Sequence, residues 1–595
     1  MSPTDRKPTT GREKQYASKG NRPDGKGNAK EGGKPGGRFE KPADRLFGKP
    51  AGKTFGKPGG KPFGKPADAN GNTRNGAEGE KTGERFERPA DRSFGKPVGK
   101  TFGKPAGKPG GFGTKFEGGR GRPMGAGGRP AIQRMSPMSR DAAPQERTGL
   151  SVGARRAALE VLRDVHENGA YAQLSLNEKL NGNALNPADK RLATNIVYGT
   201  LENQIRIDYA LDRFMERPVQ EIAQRDILRM SAYQILFLDR VPDSAAVNEG
   251  VNLAKGMGME SSAGFFNAVL RNLSRGKEEL PWPKKEENLR EYLHIMGSMP
   301  HWIVDRLISA YGEEEAEKIV MYRETEHPVV VRSNLMKNSD GELETLLSKK
   351  GWEFRRGLAP HAYLVTGAES IGLDIDYREG AFSIQGQSSM LAVEAVEAKP
   401  GMKILDACAA PGGKSAYLCE KMQGTGRVFA WELHEKRAML LESMKRRLNL
   451  ENLRISVRDA SEPKPDMERT LDAVLLDAPC SGLGVMVQKP DLKHRLKEED
   501  VALIVEQQRK LLNAVSAYVK PGGLLVYSTC SILPEENKAQ VEAFLANHPE
   551  YTVEELPKVF PESLREQQSP LGLQLLGYRD DVEGFYIVRL RRTGA

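Results

Sequence analysis

The sequence predicts an α/β protein in which a mostly parallel sheet, covered on both faces, follows an all-α domain and a small α+β module. Three observations lead there. After about residue 385, strand-type runs alternate with helical ones, the pattern of a parallel sheet between helices. From 151 to 277 the apolar residues fall at helical spacing without a strand signal. Residues 1–147 are rich in Gly, Lys and Pro and too poor in apolar side chains to offset the entropy of ordering, so a disordered tail is expected.

The tail repeats Phe-Gly-Lys-Pro from Phe47, Phe55, Phe63, Phe94 and Phe102 at irregular spacing. Residues 1–150 carry 33 Lys and Arg against 15 Asp and Glu, a surplus of +18 within a total of +10, so the remainder sums to −8. The basic character therefore belongs to the tail. Lys and Arg suit phosphates and isolated Phe rings suit base stacking, which suggests RNA as its partner. A solubilising tail is the alternative.

At 595 residues the chain exceeds one compact domain. No apolar run approaches the ~18 residues of a membrane span, and the N-terminus lacks the apolar region of a secretory signal. The four cysteines, Cys408, Cys419, Cys480 and Cys530, all lie in the last third. Their spacing fits neither a zinc site nor a disulfide framework. A reducing, cytoplasmic setting is expected, with no metal and no membrane, and a monomer.

In the helical region, Ala154, Ala157, Ala158, Val161 and Leu162 share one face, as do Leu192, Ile196 and Val197. Further helices are predicted over 207–214, 225–238, 245–257 and 265–273. The segments "ARRAALEVL", "DKRLATNIVYGTL", "AAVNEGVNLAK" and "AGFFNAVLRNL" resemble, in that order, the NusB-like RNA-binding domain. The region 281–384 mixes helices at 302–311 and 314–321 with strands at 329–332 and 363–365 around a helix at 340–349. A small module that contacts RNA is the expectation.

The last domain, 385–595, carries the chemistry. Strands are predicted over 403–407, 427–431, 453–457, 473–476, 523–528 and 585–590, with helices over 414–422, 435–448, 500–519 and 534–547. Ligands of such sheets bind beyond the carboxyl ends of the strands. The first strand ends in Asp406-Ala407-Cys408-Ala409-Ala410-Pro411-Gly412-Gly413-Lys414, a small-residue turn that lets a ligand approach the backbone. It is not a P-loop, because Cys408 stands where the first glycine belongs. Glu432, Asp459 and Asp477 follow successive strands. Acids so placed accept hydrogen bonds from a nucleoside, Glu432 from ribose hydroxyls and Asp459 from an adenine amino group. Cys480, in Asp477-Ala478-Pro479-Cys480-Ser481-Gly482, and Cys530, in Ser528-Thr529-Cys530-Ser531, both follow hydrophobic strands among small and polar residues, where a thiolate is accessible. Cys408 and Cys419 read as inert core thiols.

Together, "DACAAPGGK", "DAPCSG" and "STCSILPEEN" resemble the RNA 5-methylcytosine methyltransferases. With the NusB-like region in front, residues 151–595 resemble the bacterial RsmB (Fmu/Sun) type, which acts on 16S ribosomal RNA. The resemblance implies a Rossmann-like class I methyltransferase fold with S-adenosyl-L-methionine as cofactor. The implied substrate is 16S ribosomal RNA or a small-subunit assembly intermediate. It also implies that Cys530 attacks the cytosine, that Cys480 assists release, and that Asp477 holds the base. Lys414 orients the base or lowers a thiol pKa. The turn Cys408–Gly413 with Lys414, Glu432, Arg437, Asp459 and Asp477 would hold the cofactor. DNA cytosine methyltransferases attack with the Pro-Cys cysteine; the added Thr-Cys cysteine favours RNA. The chain departs from the family pattern at Gly386, where an acid is common, at Val487-Gln488-Lys489, where Arg-Arg-His is usual, and at Glu583-Gly584-Phe585-Tyr586 in place of Asp-Gly-Phe-Phe. Transfer RNA as substrate, or a non-catalytic RNA-binding or antitermination factor, are the alternatives.

Overall fold

The structure, a computed structural model, describes residues 153–594 except 183–184, 325–327 and 369–370. The basic tail expected over 1–147 lies outside the described residues.

The helical domain runs α1 (Ala154–Asn168), α2 (Ala172–Gly182), α3 (Pro187–Glu202), α4 (Gln204–Asp212), α5 (Ile222–Phe237), α6 (Asp243–Gly256) and α7 (Ala263–Gly276). On α1 the buried residues Ala157, Ala158, Val161, Leu162 and Val165 recur every three or four positions. Ala158, Val161, Leu162 and Val165 join Ile196 and Val197 of α3 and Ile227 and Met230 of α5 in one core, while Ala157 packs on Ala193 of α3. Helix α1 stops at Gly169, which takes the left-handed φ of +63°. Helix α3 starts at Asn186, whose side chain accepts from Asp189 N at 2.8 Å, with Pro187 as its first residue.

Three further helices, α8 (Leu289–Met296), α9 (His301–Tyr311) and α10 (Glu313–Met321), bury their apolar faces against Leu483, Met486, Ile532 and Leu576 of the last domain. A small antiparallel sheet follows: β1 (Val329–Ser333), β2 (Glu353–Arg356), β3 (Ala362–Thr366) and β4 (Phe382–Ile384), in the order β2-β3-β1-β4, with α11 (Asp340–Lys349) between β1 and β2. The sequence predicts only β1 and β3 around α11. Strand β2 is largely charged and exposed and β4 has three residues, so neither carries an apolar alternation long enough to read.

The last domain holds α12 (Gln387–Glu394), β5 (Lys403–Asp406), α13 (Gly413–Lys421), β6 (Arg427–Glu432), α14 (Glu435–Leu448), β7 (Leu453–Val457) and β8 (Leu471–Asp477). After them come α15 (Leu492–Arg495), α16 (Glu498–Ser516), β9 (Val519–Thr529), α17 (Lys538–Asn547), β10 (Tyr551–Glu554), β11 (Leu573–Leu575) and β12 (Phe585–Arg592). The strand order is β10-β12-β9-β8-β5-β6-β7, and β11 pairs β12. Strands β9, β8, β5, β6 and β7 are parallel; β12 is antiparallel to β9, β10 and β11. Alternate residues of each central strand enter separate cores, Ile404, Val428, Ala473 and Val526 on one face and Leu405, Val474 and Leu525 on the other. Helix α17 starts at Lys538 rather than at Pro534, because residues 534–537 form a turn whose side chains serve the site described below.

One buried ion pair ties the small sheet to this domain, and a second contact closes the start of α12 onto the segment before β12. Arg332 of β1 and Glu420 of α13 form a bidentate ion pair with both side chains fully buried. The guanidinium also donates to Gln385 Oε1 at 2.9 Å and lies 4.3 Å from the Tyr417 ring centre. Two of the three departures noted above prove to be one feature. Glu583 Oε2 accepts from Ser388 N at 3.1 Å, and Ser388 Oγ donates to Glu583 O at 2.7 Å. A Cβ on Gly386 would overlap the Glu583 carboxylate, so the acid near the start of α12 comes from 583 and residue 386 is left small. The helical domain is joined through α15: Lys493 Nζ donates to Glu202 O, and His494 Nε2 lies against Leu201 O, both at 2.8 Å. Among the described residues no helix is long and apolar enough to cross a membrane.

Candidate active site

Asp406 at the end of β5 is completely buried. Its Oδ2 accepts from Ser415 Oγ at 2.6 Å, while Oδ1 has no partner. Burial pushes this carboxyl up to about 7. The turn that follows is folded against β6, with Ala409 N donating to Trp431 O at 2.9 Å. Gly412 has φ +116°, and a Cβ there would press into Leu441 and Met444, so only glycine fits. Arg437 Nη2 donates to Ala410 O at 3.0 Å, and its Nη1 lies 3.5 Å from Glu432 Oε1. Arg437 thus bridges the turn to the acid at the end of β6. Asp459 accepts from Ser461 N at 2.8 Å and Ser461 Oγ at 2.6 Å, which orders its loop beyond β7. This row of carboxylates beside a turn of small residues suits a ligand rich in hydroxyl and amino donors. Cys408 belongs to the core cluster beside Trp431, and burial pushes its thiol up, as it does that of Cys419.

The second half of the site lies beyond β8 and β9, where Asp477 pairs in register with Ser528. The loops that leave these strands bring Cys480 Sγ within 3.1 Å of Cys530 Sγ. Both thiols are free. Lys414 Nζ donates to Asp477 Oδ2 at 2.6 Å, and Ser528 Oγ donates to Oδ1 at 3.1 Å. Burial alone would lower the Lys414 ammonium; the Asp477 carboxylate outweighs it and holds the cation raised.

The two thiols differ in their surroundings. Cys530 is held below the usual thiol range, first by the hydrogen bond from Cys480 and then by Lys489 and Lys414, against burial and Asp477. Cys480 is pushed up by its bond to Cys530, by burial, and by the charges of Cys530, Glu536 and Asp477. Both neighbouring cations thus act on Cys530 and the Glu536 carboxylate on Cys480. Of the two thiols, these surroundings favour the thiolate form at Cys530.

The loop after Cys530 is braced from three sides. Thr529 Oγ1 donates to Asn537 Oδ1 at 2.5 Å, and Asn537 Nδ2 donates to Ser531 O at 2.9 Å. Helix α9 reaches it through an Arg306–Glu535 ion pair and through Tyr311 OH, which donates to Ile532 O at 2.5 Å. Gly484 N donates to Cys530 O at 2.9 Å, and a Cβ on Gly484 would collide with the Gly584 carbonyl.

All the sequence-predicted site residues lie at or just beyond the carboxyl ends of β5, β6, β7, β8 and β9, in two groups: the Cys408–Gly413 turn with Glu432, Arg437 and Asp459, and the cluster of Lys414, Asp477, Cys480 and Cys530. The sequence reading missed Ser528, Lys489, Glu536 and Asn537. Glu536 and Asn537 stand inside the quoted "STCSILPEEN", so the signal was present but was read as helix. Lys489 falls in the segment that departs from the family pattern.

Known proteins share this architecture. The family model "16S rRNA methyltransferase RsmB/F" matches residues 393–591. A NusB family model matches 153–275, and an RsmF/B-like ferredoxin-like domain matches 299–371. The chain is 36% identical over 445 residues to the probable ribosomal RNA small subunit methyltransferase B of Bacillus subtilis, covering 74% of this chain and 99% of that one. The Synechocystis protein of the same name is 31% identical over 74% of this chain and all of its own length. The crystal structure of PH0851 superposes with a TM-score of 0.64 at 25% identity, over 74% of this chain and 98% of that one. A helical domain, a small antiparallel sheet and a parallel sheet with two facing cysteines occur here in the order of those matches, and the chain belongs to the RsmB/F family of 16S rRNA methyltransferases.

Proposed function

We propose that this protein methylates C5 of a cytosine in 16S ribosomal RNA, with Cys530 as the attacking thiolate and S-adenosylmethionine as methyl donor. The observation that carries the reading is the pair of free thiols 3.1 Å apart beyond β8 and β9, beside the Lys414–Asp477 ion pair. The relatives named as small-subunit methyltransferases support the substrate class. Residues 385–595 would supply the chemistry, while the helical domain 151–277 and the module 281–384 would contact RNA. The basic tail 1–147 would add affinity for phosphates.

The residues present fit the cofactor. The unpartnered Asp406 Oδ1 and the carboxylates of Glu432 and Asp459 offer acceptors to an ammonium, a ribose and an adenine amine. The backbone of Cys408, Ala409, Ala410, Pro411, Gly412 and Gly413 leaves room beside them, and Arg437 holds Glu432 in place. When bound, the cofactor supplies an electrophilic methyl group.

Cytosine C5 is a poor nucleophile until a thiolate adds to C6. Cys530 Sγ forms that bond, and the C5–C6 π electrons shift onto C5 and the ring. Asp477, held by Lys414 and Ser528, hydrogen-bonds the base and favours protonation at N3 as charge develops. After methyl transfer, loss of the C5 proton and departure of Cys530 restore the ring. Cys480 assists there, its S–H donating to the leaving sulfur or, once ionised, its sulfur taking the C5 proton. The target cytosine must be unstacked to admit Cys530.

Incubation with labelled S-adenosylmethionine and unmodified small-subunit RNA tests the reading. Label in 5-methylcytosine is expected; label on no cytosine overturns it. Lys414→Met removes a cation that favours the Cys530 thiolate, so the thiol pKa rises and activity appears only at higher pH. At pH 7 the loss is expected to be on the order of 10-fold or more, with partial recovery as pH is raised. A pH–rate profile that only scales down, without moving, contradicts the role given to Lys414.

A further inference from the structure

Glu536 is a carboxylate with no exposed surface, and nothing in the mechanism above uses it. Its Oε1 accepts from Ser481 Oγ at 2.5 Å and Ser531 Oγ at 2.5 Å. Its Oε2 accepts from Ser481 N at 2.8 Å and Gln508 Nε2 at 3.0 Å. Ser481 follows Cys480 and Ser531 follows Cys530, so one carboxylate grips the residue after each cysteine. Gln508 also donates to Pro479 O at 2.9 Å, on the other side of Cys480. The two serine hydroxyls stand 3.0 Å apart, parallel to the pair of thiols beside them. The backbone of Glu536 is itself fixed, its carbonyl accepting from Tyr527 OH at 2.7 Å.

A buried carboxylate is costly unless its oxygens are satisfied. Here four donors satisfy it, and all come from the loop after β8, the loop after β9 and helix α16. Removing the charge therefore loosens the two loops together. The Ser481 backbone N–H, donating to Oε2, adds a further bond to the loop that carries Cys480. On Cys530 the acting groups are Lys414, Lys489 and Asp477; on Cys480 they are Glu536, Asp477 and the thiolate itself.

We propose that Glu536 is a positioning residue that sets the spacing of the two cysteines, and with it the hydrogen bond between their sulfurs. The proposal rests on the reading that Cys530 attacks and Cys480 assists release. Glu536 has no exposed surface and acts through Ser481 and Ser531.

The test is the order in which the thiols of the full-length protein react with iodoacetamide, followed across pH and located by mass spectrometry. In the wild-type protein Cys530 is expected to be modified first and at lower pH. If Cys480 reacts first, the assignment of attack to Cys530 fails, whatever Glu536 does. In Glu536→Gln the preference for Cys530 is expected to shrink at least about 10-fold. Turnover should fall on the order of 10- to 100-fold with KM for S-adenosylmethionine within about twofold, as misplacement near a reacting centre predicts. A ratio of Cys530 to Cys480 modification in Glu536→Gln equal to that of the wild type overturns the proposal. Ser531→Ala cuts one strut and keeps the charge, and serves if Glu536→Gln does not fold. It is expected to lower turnover while Cys530 still reacts first; unchanged turnover in Ser531→Ala would overturn the spacing role.

Discussion

Cys480→Ala is expected to stall on its RNA as a covalent protein–RNA adduct, whereas Cys530→Ala is expected to form no adduct and to lose turnover by more than about 1,000-fold. The two outcomes follow from the asymmetry around a single hydrogen bond. In the proposed mechanism Cys530, with Lys414 and Lys489 acting on it, adds to C6; without its sulfur no adduct would form. Cys480 Sγ lies 3.1 Å from the sulfur that would depart in that mechanism. Without it the first bond still forms, but the leaving thiolate loses its donor. Migration of labelled RNA with the protein through a denaturing gel measures the adduct, and methyl incorporation measures turnover. If the two variants behave alike in both assays, the division of labour is wrong.

Arg332→Met is expected to destabilise the protein by about 3–5 kcal/mol, because it strands the Glu420 carboxylate in a site with no exposed surface. The guanidinium satisfies that carboxylate with two bonds, donates to Gln385, and stacks on Tyr417. None of these partners has water to turn to. The double variant Arg332→Met, Glu420→Met removes both charges and is expected to recover a large part of the loss, since the desolvation cost disappears with the pair. Urea unfolding of the three proteins checks this. A single variant within 1 kcal/mol of wild type would contradict the burial of the pair. The pair joins β1 to α13, the helix that begins in the Gly412–Gly413 turn, so the single variant is also expected to weaken cofactor binding.

Much of this was legible in the sequence because the decisive groups sit at points of changing periodicity. A strand pattern that ends in small residues located the Cys408–Gly413 turn. Strands that end in Asp477 and Ser528 located the two cysteines on one edge. Helix α14 was read at its observed bounds, because its apolar positions are regular and Asn449, in the left-handed region, ends it. The missed features depend on partners far along the chain. Strand β2 is held by β3 and not by its own charged residues. Glu536 and Asn537 look like the first turn of a helix until their bonds to Ser481, Ser531 and Thr529 are known. The exchange of acids between 386 and 583 is invisible to any reading that takes each position alone.

Strand β12 is synthesised after every strand it pairs with, yet it lies inside the sheet, between β9 and β10, and also holds β11. The segment just before it sends Glu583 back to α12. A chain emerging from the ribosome therefore completes its helical domain early and its catalytic sheet last. During synthesis the helical domain would exist before the loops that carry Cys480 and Cys530 rest on a finished sheet, and a chain cut before β12 would keep the first and lack the second.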